Sequence, residues 1–455
     1  MTKVHKFFQD NYYLLDVNSG AVHIVDKLCY DIIDEEALKS KEEIVSKLKY
    51  IYDENDILEA YEEIEELIKE GMLYSEDLYE NIALNDKSQS FVKALCLNVA
   101  HDCNLRCKYC FADEGEYKGK RMLMSAEIGK KAIDFVIKAS GIRKNIEVDL
   151  FGGEPIMDYN NVKEIVEYAK EQEKLYNKSI RFTMTTNATL LNDEIMEYID
   201  KNMGNIVLSI DGRKEINDKV RVRADNSGSY DSILPKIKEM VSRRDKNKQY
   251  YVRGTFTRNN IDFFEDVKHL ANLGFKEISV EPVVLPENNV LSLRQEDLPE
   301  IMDQYDKLYA ELLKRKKEGN EFKFYHFNID LNGGPCVYKR ISGCGAGHEY
   351  VAVTPEGDIY PCHQFVGNEK FKIGTVFEGI TNKDIPNIFK NAHIYNKPTC
   401  KDCWAKFYCS GGCQANNYNF NGDIHIPYKI GCEMQKKRIE CAIALKSQTA
   451  GEEKV

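Results

Sequence analysis

Cys103, Cys107 and Cys110 stand in the run Ala-His-Asp-Cys-Asn-Leu-Arg-Cys-Lys-Tyr-Cys-Phe, separated by three residues and then two. Three thiolates at that spacing suit one face of an iron–sulfur cube. A cubane ordinarily takes four cysteines. With three, one iron keeps an open position, and an open position on a metal is where a substrate or cofactor can bind. A zinc knuckle, or buried thiols with no metal, would use the same residue types.

A second concentration of cysteine lies towards the C-terminus. Cys400-x2-Cys403-x5-Cys409-x3-Cys413 is followed by Cys432, and upstream Cys344 precedes Gly357 and Cys362. A zinc ribbon needs two Cys-x2-Cys pairs. Only Cys400–Cys403 qualifies, so the set favours iron–sulfur. Other positions could serve a ligand. Phe151-Gly152-Gly153-Glu154-Pro155 closes a strand-like run, and its glycines let the backbone approach a ligand closely. Thr185-Thr186-Asn187 closes another, where ordinary strand-end capping is the alternative. Ser209 and Asp211 end a third, two residues apart and therefore on one face. Arg221 offers a fork of donors that suits a carboxylate, with Arg223 as its rival. Cys29, Cys96 and Cys441 fit no spacing and read as small core residues.

These residues need elements to hold them. Ala94–Ala100, Ile146–Phe151, Ile180–Thr186, Ile206–Asp211, Tyr250–Thr257 and Glu277–Pro282 read as strands, with amphipathic helices between them such as Ala126–Ala139 and Asp262–Asn272. Strands alternating with helices imply a parallel sheet. Six fall short of the eight of a closed barrel, so an open, partial barrel is expected, with chemistry at the C-terminal ends of its strands. Cys103 follows the first of them. Before this region, Tyr12–Val17 and Ala21–Val25 flank the turn Asn18-Ser19-Gly20. A short helix over Glu42–Lys49 and a longer one carrying Ile57, Tyr61, Ile64 and Ile68 follow, ended by Gly71, and Met72-Leu73-Tyr74 reads as a further strand. Together these suggest a winged-helix-like module, followed by a polar linker over Asn85–Ser90. Residues 296–320 read as a long charged helix. The expected division is 1–83, 91–295, 296–340 as a helical bridge, and 341–455.

Composition sets outer limits. A chain of 455 residues is too long for one core. No apolar run approaches the ~18 residues of a membrane span, and the N-terminus lacks the apolar centre of a signal peptide. A cytoplasmic protein is expected, in which clustered cysteines mean metal or redox chemistry rather than disulfides. The net charge of −11 argues against a nucleic-acid partner and otherwise reads as simple solubility.

The three-cysteine run, with Tyr109 before its last cysteine, resembles the signature of the radical S-adenosylmethionine (SAM) enzymes. The Gly152-Gly153-Glu154 stretch resembles the motif by which that family contacts the methionyl ammonium. By the same resemblance Ser209 and Asp211 would bind ribose or methionyl groups, and Arg221 the methionyl carboxylate. The C-terminal run resembles the seven-cysteine SPASM domain. That implies an outer cluster on Cys400, Cys403, Cys409 and Cys432 and an inner one on Cys344, Cys362 and Cys413. The inner cluster's fourth ligand is either Cys336 or a substrate thiolate on an open iron. The implied cofactors are three 4Fe–4S clusters and SAM. The implied fold class is α/β: a partial (β/α)6 TIM barrel as radical SAM core, an N-terminal winged-helix-like peptide-recognition domain and a C-terminal SPASM domain.

Within that family the chain is most similar to the SCIFF peptide maturases, on Leu15–His23 and Tyr360-Pro361-Cys362-His363-Gln364-Phe365. These enzymes join cysteine sulfur to a carbon of an acceptor residue in a Cys-rich precursor peptide recognised by its leader, through a 5′-deoxyadenosyl radical. An external electron donor of flavodoxin or ferredoxin type is implied. Anaerobic sulfatase maturases are the alternative. They place an Asp where this chain has His363, and they lack the N-terminal module. His363 is a candidate base, with a structural hydrogen-bonding role equally open. A zinc-binding scaffold without activity is the remaining alternative.

Overall fold

The computed structural model describes residues 2–85, 90–331 and 337–450. Cys336 and most of the expected linker lie outside the described residues.

The N-terminal module is a three-stranded antiparallel sheet, β1 (Val4–Gln9), β2 (Asn11–Asp16) and β3 (Val22–Val25), with β2 central. Helices Lys41–Leu48 and Glu54–Lys69 pack on it through Ile44, Leu48, Ile57 and Ile64. The strand expected at Met72-Leu73-Tyr74 is absent. Tyr74 has φ 52°, a left-handed conformation that no strand tolerates, and Leu73 enters the core from a turn.

The central region begins with β4 (Ala94–His101), β5 (Leu105–Cys107) and β6 (Met122–Leu123). Then come β7 (Asn145–Gly152), β8 (Ser179–Thr186), β9 (Asn205–Ser209), β10 (Arg221–Arg223), β11 (Gln249–Phe256) and β12 (Glu277–Pro282). The six expected strands pair in parallel in the order β12-β11-β9-β8-β7-β4. Ile146, Val148 and Leu150 of β7, and Ile180, Phe182 and Met184 of β8, alternate inward to meet helices such as Ala126–Ala139 and Tyr159–Tyr176. The sheet opens on a mouth formed by the C-terminal strand ends.

The sheet does not stop at these strands. β13 (Lys323–Phe324) extends one edge. At the other edge β14 (Tyr350–Val353) pairs in parallel with β4, from Tyr350↔Ala94 to Val353↔Leu97. β15 (Asp358–Tyr360), β16 (Gly374–Thr375) and β17 (Gly379–Ile380) follow in antiparallel order. The cysteine-rich region is therefore grafted onto the barrel sheet itself, and the chain leaving β15 enters Cys362–His363 above the barrel mouth. Helix Lys429–Ala450 returns to lie along helix Leu298–Lys317, with Arg438 Nε donating to Tyr305 Oη at 2.7 Å. No helix among the described residues is long and apolar enough to cross a membrane.

The N-terminal module docks on the cysteine-rich region. Asp77 accepts from Lys406 Nζ at 2.8 Å and from Tyr395 Oη at 2.8 Å, and the Lys406 side chain is 1% exposed. His5 stacks on Trp404 with ring centroids 3.6 Å apart and bonds Glu440 at 2.9 Å.

Candidate active site and cysteine-rich centres

The loop after β4 carries the three cysteines. Near its end β4 slips register against β7 between Asn98 and Ala100, a bulge that re-aims the chain as it leaves the sheet. Two backbone bonds then buckle the loop to the end of β7: Gly153 N–H donates to Ala100 O at 2.7 Å and Glu154 N–H to Asp102 O at 2.9 Å. A Cβ at Gly153 would lie 2.1 Å from Asp102 O, so only glycine lets the strands approach this closely. Gly152 has φ 126° and would also strike Ala100 O. The Glu154 side chain is fully buried. Oε1 accepts from Thr186 Oγ1 at 2.7 Å and Ile156 N–H at 3.1 Å, and Oε2 from Asn187 N–H at 2.7 Å. Both oxygens are thus engaged inside the wall, locking β7 to β8.

Cys103, Cys107 and Cys110 line one cavity of about 480 Å³ at the barrel mouth. Asn187 Nδ2 donates to Cys103 Sγ at 3.6 Å. β5 pairs antiparallel with β10, which sets Arg221 opposite Cys107. Tyr109 Oη donates to Asp211 Oδ2 at 2.6 Å, Arg221 Nη1 donates to Tyr109 Oη at 2.9 Å, and Asp211 Oδ1 accepts from Thr255 N–H at 3.0 Å. This buried trio welds the cysteine loop to β9 and β11. Burial opposes the Arg221 charge, but Tyr109, Cys107 and Asp211 more than restore it. Arg221 Nε is buried without a partner.

The thiols are held protonated. Burial pushes Cys103 up to about 12, with Glu154 and the neighbouring cysteines adding to it. Burial likewise pushes Cys107 up to about 11 against the pull of Arg221. Cys110 is raised by burial while backbone N–H groups of Ala112, Glu114 and Gly115 pull the other way. That last turn is wound from left-handed residues, Asp113 (φ 51°), Glu114 (φ 57°) and Gly115 (φ 99°), and a Cβ at Gly115 would stand 3.1 Å from Cys103 Cβ.

Sequence reasoning missed part of this cavity. Arg253 and Thr255 on β11 and Glu281 on β12 line it, with Arg253 and Glu281 ion-paired at 3.5 Å. They are findable by the rule that marks Ser209, which also lines the cavity: polar side chains on one face near the C-terminal end of a barrel strand. Asp211 and Glu154 sit in the wall instead.

The opposite wall comes from the cysteine-rich region, through His363, Gln364, Cys413 and Asn416. His363 Nδ1 shares a hydrogen bond with Tyr350 Oη at 2.9 Å, and its ring packs on Phe151 and Phe111 with centroids 5.1 and 5.5 Å away. Burial, helped by Arg253, lowers His363 to about 4, so the imidazole is neutral near pH 7. Cys344, Cys362 and Cys413 lie near enough that Cys344 and Cys413 each raise Cys362 after the effect of burial. Cys400, Cys409 and Cys432 form a second set, each raised first by burial and then by its cysteine neighbours, Cys403 among them. Cys409, Cys413 and Cys432 line an adjacent cavity of about 270 Å³, which shares Cys413 and Glu281 with the first. Among the described residues no three His, Cys, Asp or Glu side chains converge as they would around a single ion. A cubane takes one thiolate per iron, and its ligands stand further apart.

The donor sets fit iron–sulfur clusters. Grouped, buried thiols repel one another as thiolates and need metal to ionise, and the partnerless Arg221 Nε at the first set awaits an acceptor such as a carboxylate. Cys29 is half-buried, and Cys96 and Cys441 are buried in apolar packing.

Comparison with known proteins agrees with this geometry. Residues 97–290 match the radical SAM superfamily, and residues 344–404 match the SPASM iron–sulfur cluster-binding domain. The chain is 24% identical over 361 residues to the radical SAM cyclopropyl synthase TigE of Paramaledivibacter caminithermalis, covering 76% of this chain and 72% of that protein. It is 25% identical over 342 residues to a cysteine-type anaerobic sulfatase-maturating enzyme of Clostridium novyi (70% and 86% covered). It is also 25% identical over 338 residues to the subtilosin biosynthesis protein AlbA of Bacillus subtilis (71% and 67%). Among solved structures, anSMEcpe with bound AdoMet superposes with a TM-score of 0.66 at 18% identity over 79% of this chain and 99% of that one. Streptococcus suis SuiB bound to its precursor peptide SuiA superposes with a TM-score of 0.55 at 15% identity, over 94% of this chain and 98% of that one.

Proposed function

Because the chain is a radical SAM protein carrying a SPASM iron–sulfur domain, we propose that it is a peptide maturase of the SCIFF type. It joins cysteine sulfur to a carbon of an acceptor residue in a ribosomally made, Cys-rich precursor peptide. One observation carries this reading: Cys103, Cys107 and Cys110 share a single cavity with His363 and Cys413. A radical-generating site on one wall thereby faces a thiol-binding site on the other. The relatives support a peptide substrate, since SuiB is seen with a precursor peptide and AlbA serves in subtilosin biosynthesis.

In this reading Cys103, Cys107 and Cys110 hold the cluster that takes SAM, and Arg221 Nε reaches its carboxylate. Cys344, Cys362 and Cys413 hold the inner auxiliary cluster, and Cys400, Cys403, Cys409 and Cys432 the outer one, three 4Fe–4S clusters in all. When bound, the clusters and SAM supply a hydrogen-abstracting radical and a route for single electrons. The chain's own residues confine the peptide between β11, β12 and the His363 wall, and keep water from it. Each thioether removes two hydrogens from the peptide, one as an atom from carbon and one as the thiol proton. One further electron leaves towards the cysteine-rich domain and an external carrier of flavodoxin or ferredoxin type. Coordination to the inner cluster would make the thiol give up its proton, and neutral His363 borders that position as a hydrogen-bonding group. Among the described residues no strand pairs with the outer edge of β3, which leaves it able to take a leader peptide. Cysteines clustered for metal rather than for disulfides suit a cytoplasmic setting.

Anaerobic incubation with SAM, reductant and a Cys-rich precursor peptide tests the proposal. Tandem mass spectrometry is expected to show loss of two hydrogens per link and resistance to thiol alkylation. Oxidation of a sulfatase peptide without any thioether would overturn it in favour of the sulfatase-maturase reading.

A further inference from the structure

Lys397 is fully buried, and among the described residues no carboxylate stands within ion-pair distance of it, Asp423 acting on it only from further off. Its ammonium donates to Gly411 O at 2.7 Å, and a Cβ at Gly411 would stand 3.1 Å from Nζ. An ammonium carries three donors, so two remain for other acceptors. A charge taken from water with no counter-ion costs several kcal/mol. A lysine so placed either gives up its proton or is met by an anion.

The surroundings say which anion. Gly411 is the middle of the loop Cys409–Cys413, and that loop supplies one ligand to the outer set (Cys409) and one to the inner (Cys413). Backbone N–H groups of Cys400 and Lys401 donate to Lys397 O at 3.0 and 3.2 Å, so the lysine is also tied to the first outer ligand. Burial lowers its ammonium overall, and Cys400, Cys409, Cys413 and Cys432 are the neighbours whose charge offsets only part of that. Three of these are outer ligands and one is inner.

Resting on the assignment of two auxiliary clusters above, we infer that Lys397 is the shared counter-ion of both, seated at the loop that joins them. A 4Fe–4S centre on thiolates is anionic, and accepting one electron adds one negative charge with no bond formed and no proton moved. A fixed cation beside it favours the reduced form, as charge and hydrogen bonds to sulfur do in iron–sulfur proteins generally. Lys397 is thus a positioning residue for electron removal: it makes the auxiliary pair a better acceptor for the electron released when the sulfur–carbon bond forms.

The test uses the full chain, reconstituted anaerobically in a Cys103→Ala/Cys107→Ala/Cys110→Ala background, so that only auxiliary centres give paramagnetic signals and no peptide chemistry is needed. Lys397→Met is expected to lower the auxiliary potential enough to cut the reduced fraction at fixed potential about tenfold, a shift of ~59 mV for one electron. Lys397→Arg is expected to stay within about threefold of the parent. A Lys397→Met shift smaller than threefold overturns the inference. If Lys397→Met does not take up auxiliary iron, uptake by Lys397→Arg supports the charge argument, and failure of both overturns it in favour of a purely steric role. If the parent itself shows no auxiliary signal, the cluster assignment falls and takes the inference with it.

Discussion

Gly153→Ala is the sharpest steric test of how the site is held. Gly153 is not in a left-handed conformation, so alanine adds only a methyl group. That methyl would lie 2.1 Å from Asp102 O, 2.5 Å from Asp102 C and 3.1 Å from Cys103 Cβ. Carbon contacts settle at ~3.5 Å, so the Asp102–Cys103 backbone must retreat by more than about 1 Å. Retreat strains or breaks the bonds from Glu154 N–H to Asp102 O and from Gly153 N–H to Ala100 O. Overpacking costs about 1–3 kcal/mol and each lost bond about 1 kcal/mol, so the native loop loses roughly 3–5 kcal/mol. Since ~1.4 kcal/mol is tenfold, the competent loop geometry falls at least about a hundredfold. Iron and sulfide analysis after anaerobic reconstitution should show loss of about one of the three proposed cubanes, and 5′-deoxyadenosine formation should fall below detection. Gly119→Ala, where the backbone is not left-handed and a Cβ meets only Glu116 O at 3.4 Å, is the folding control. Full iron content and parental SAM cleavage in Gly153→Ala would refute the buckle.

Arg221→Met removes the partnerless donor and the support of Tyr109. A hydrogen bond to a charged group is worth about 1.5–3 kcal/mol, so SAM affinity measured by equilibrium dialysis should drop about 10–100-fold while the cluster stays loaded. Asp77→Ala strands the buried Lys406 charge. Breaking such a pair costs about 3–5 kcal/mol, and hydrogen exchange should speed up across β1–β3, with Asp77→Asn intermediate. Deleting residues 1–80 should spoil peptide modification but spare uncoupled SAM cleavage; equal modification of a full-length peptide would end the leader-binding reading. Stripping the metal anaerobically should expose residues 398–413 to hydrogen exchange while β7–β9 keep their protection, because the helices Pro398–Lys401 and Lys406–Cys409 have 4 residues each, too few to hold by themselves.

The barrel strands are legible in sequence because each is a short apolar-rich run, alternating in β7 and β8, as Ile146, Val148 and Leu150 do, and buried almost throughout in β4. The site is legible because its cysteines and glycines are chemically rare and closely spaced. What escapes the sequence is pairing between distant segments. β1 carries no clean alternation, its Val4 and Phe7 being buried through their partners. β14 joins β4 across some 250 residues, and that pairing is what brings His363 to the barrel mouth. Arg253 and Glu281 look like solvated charges until their strands are side by side. The Glu154 carboxylate resembles a ligand contact in sequence, but here it serves the wall.

The proposed reaction turns on one event: a hydrogen atom leaves the peptide carbon for the radical made from SAM, inside the cavity lined by Cys103, Cys107, Cys110 and His363. Incubating the enzyme with a precursor peptide deuterated at the acceptor carbon, and weighing the 5′-deoxyadenosine formed, observes that transfer directly. Deuterium in the nucleoside, in step with thioether formation, is the predicted result. Unlabelled 5′-deoxyadenosine alongside a completed thioether would contradict it.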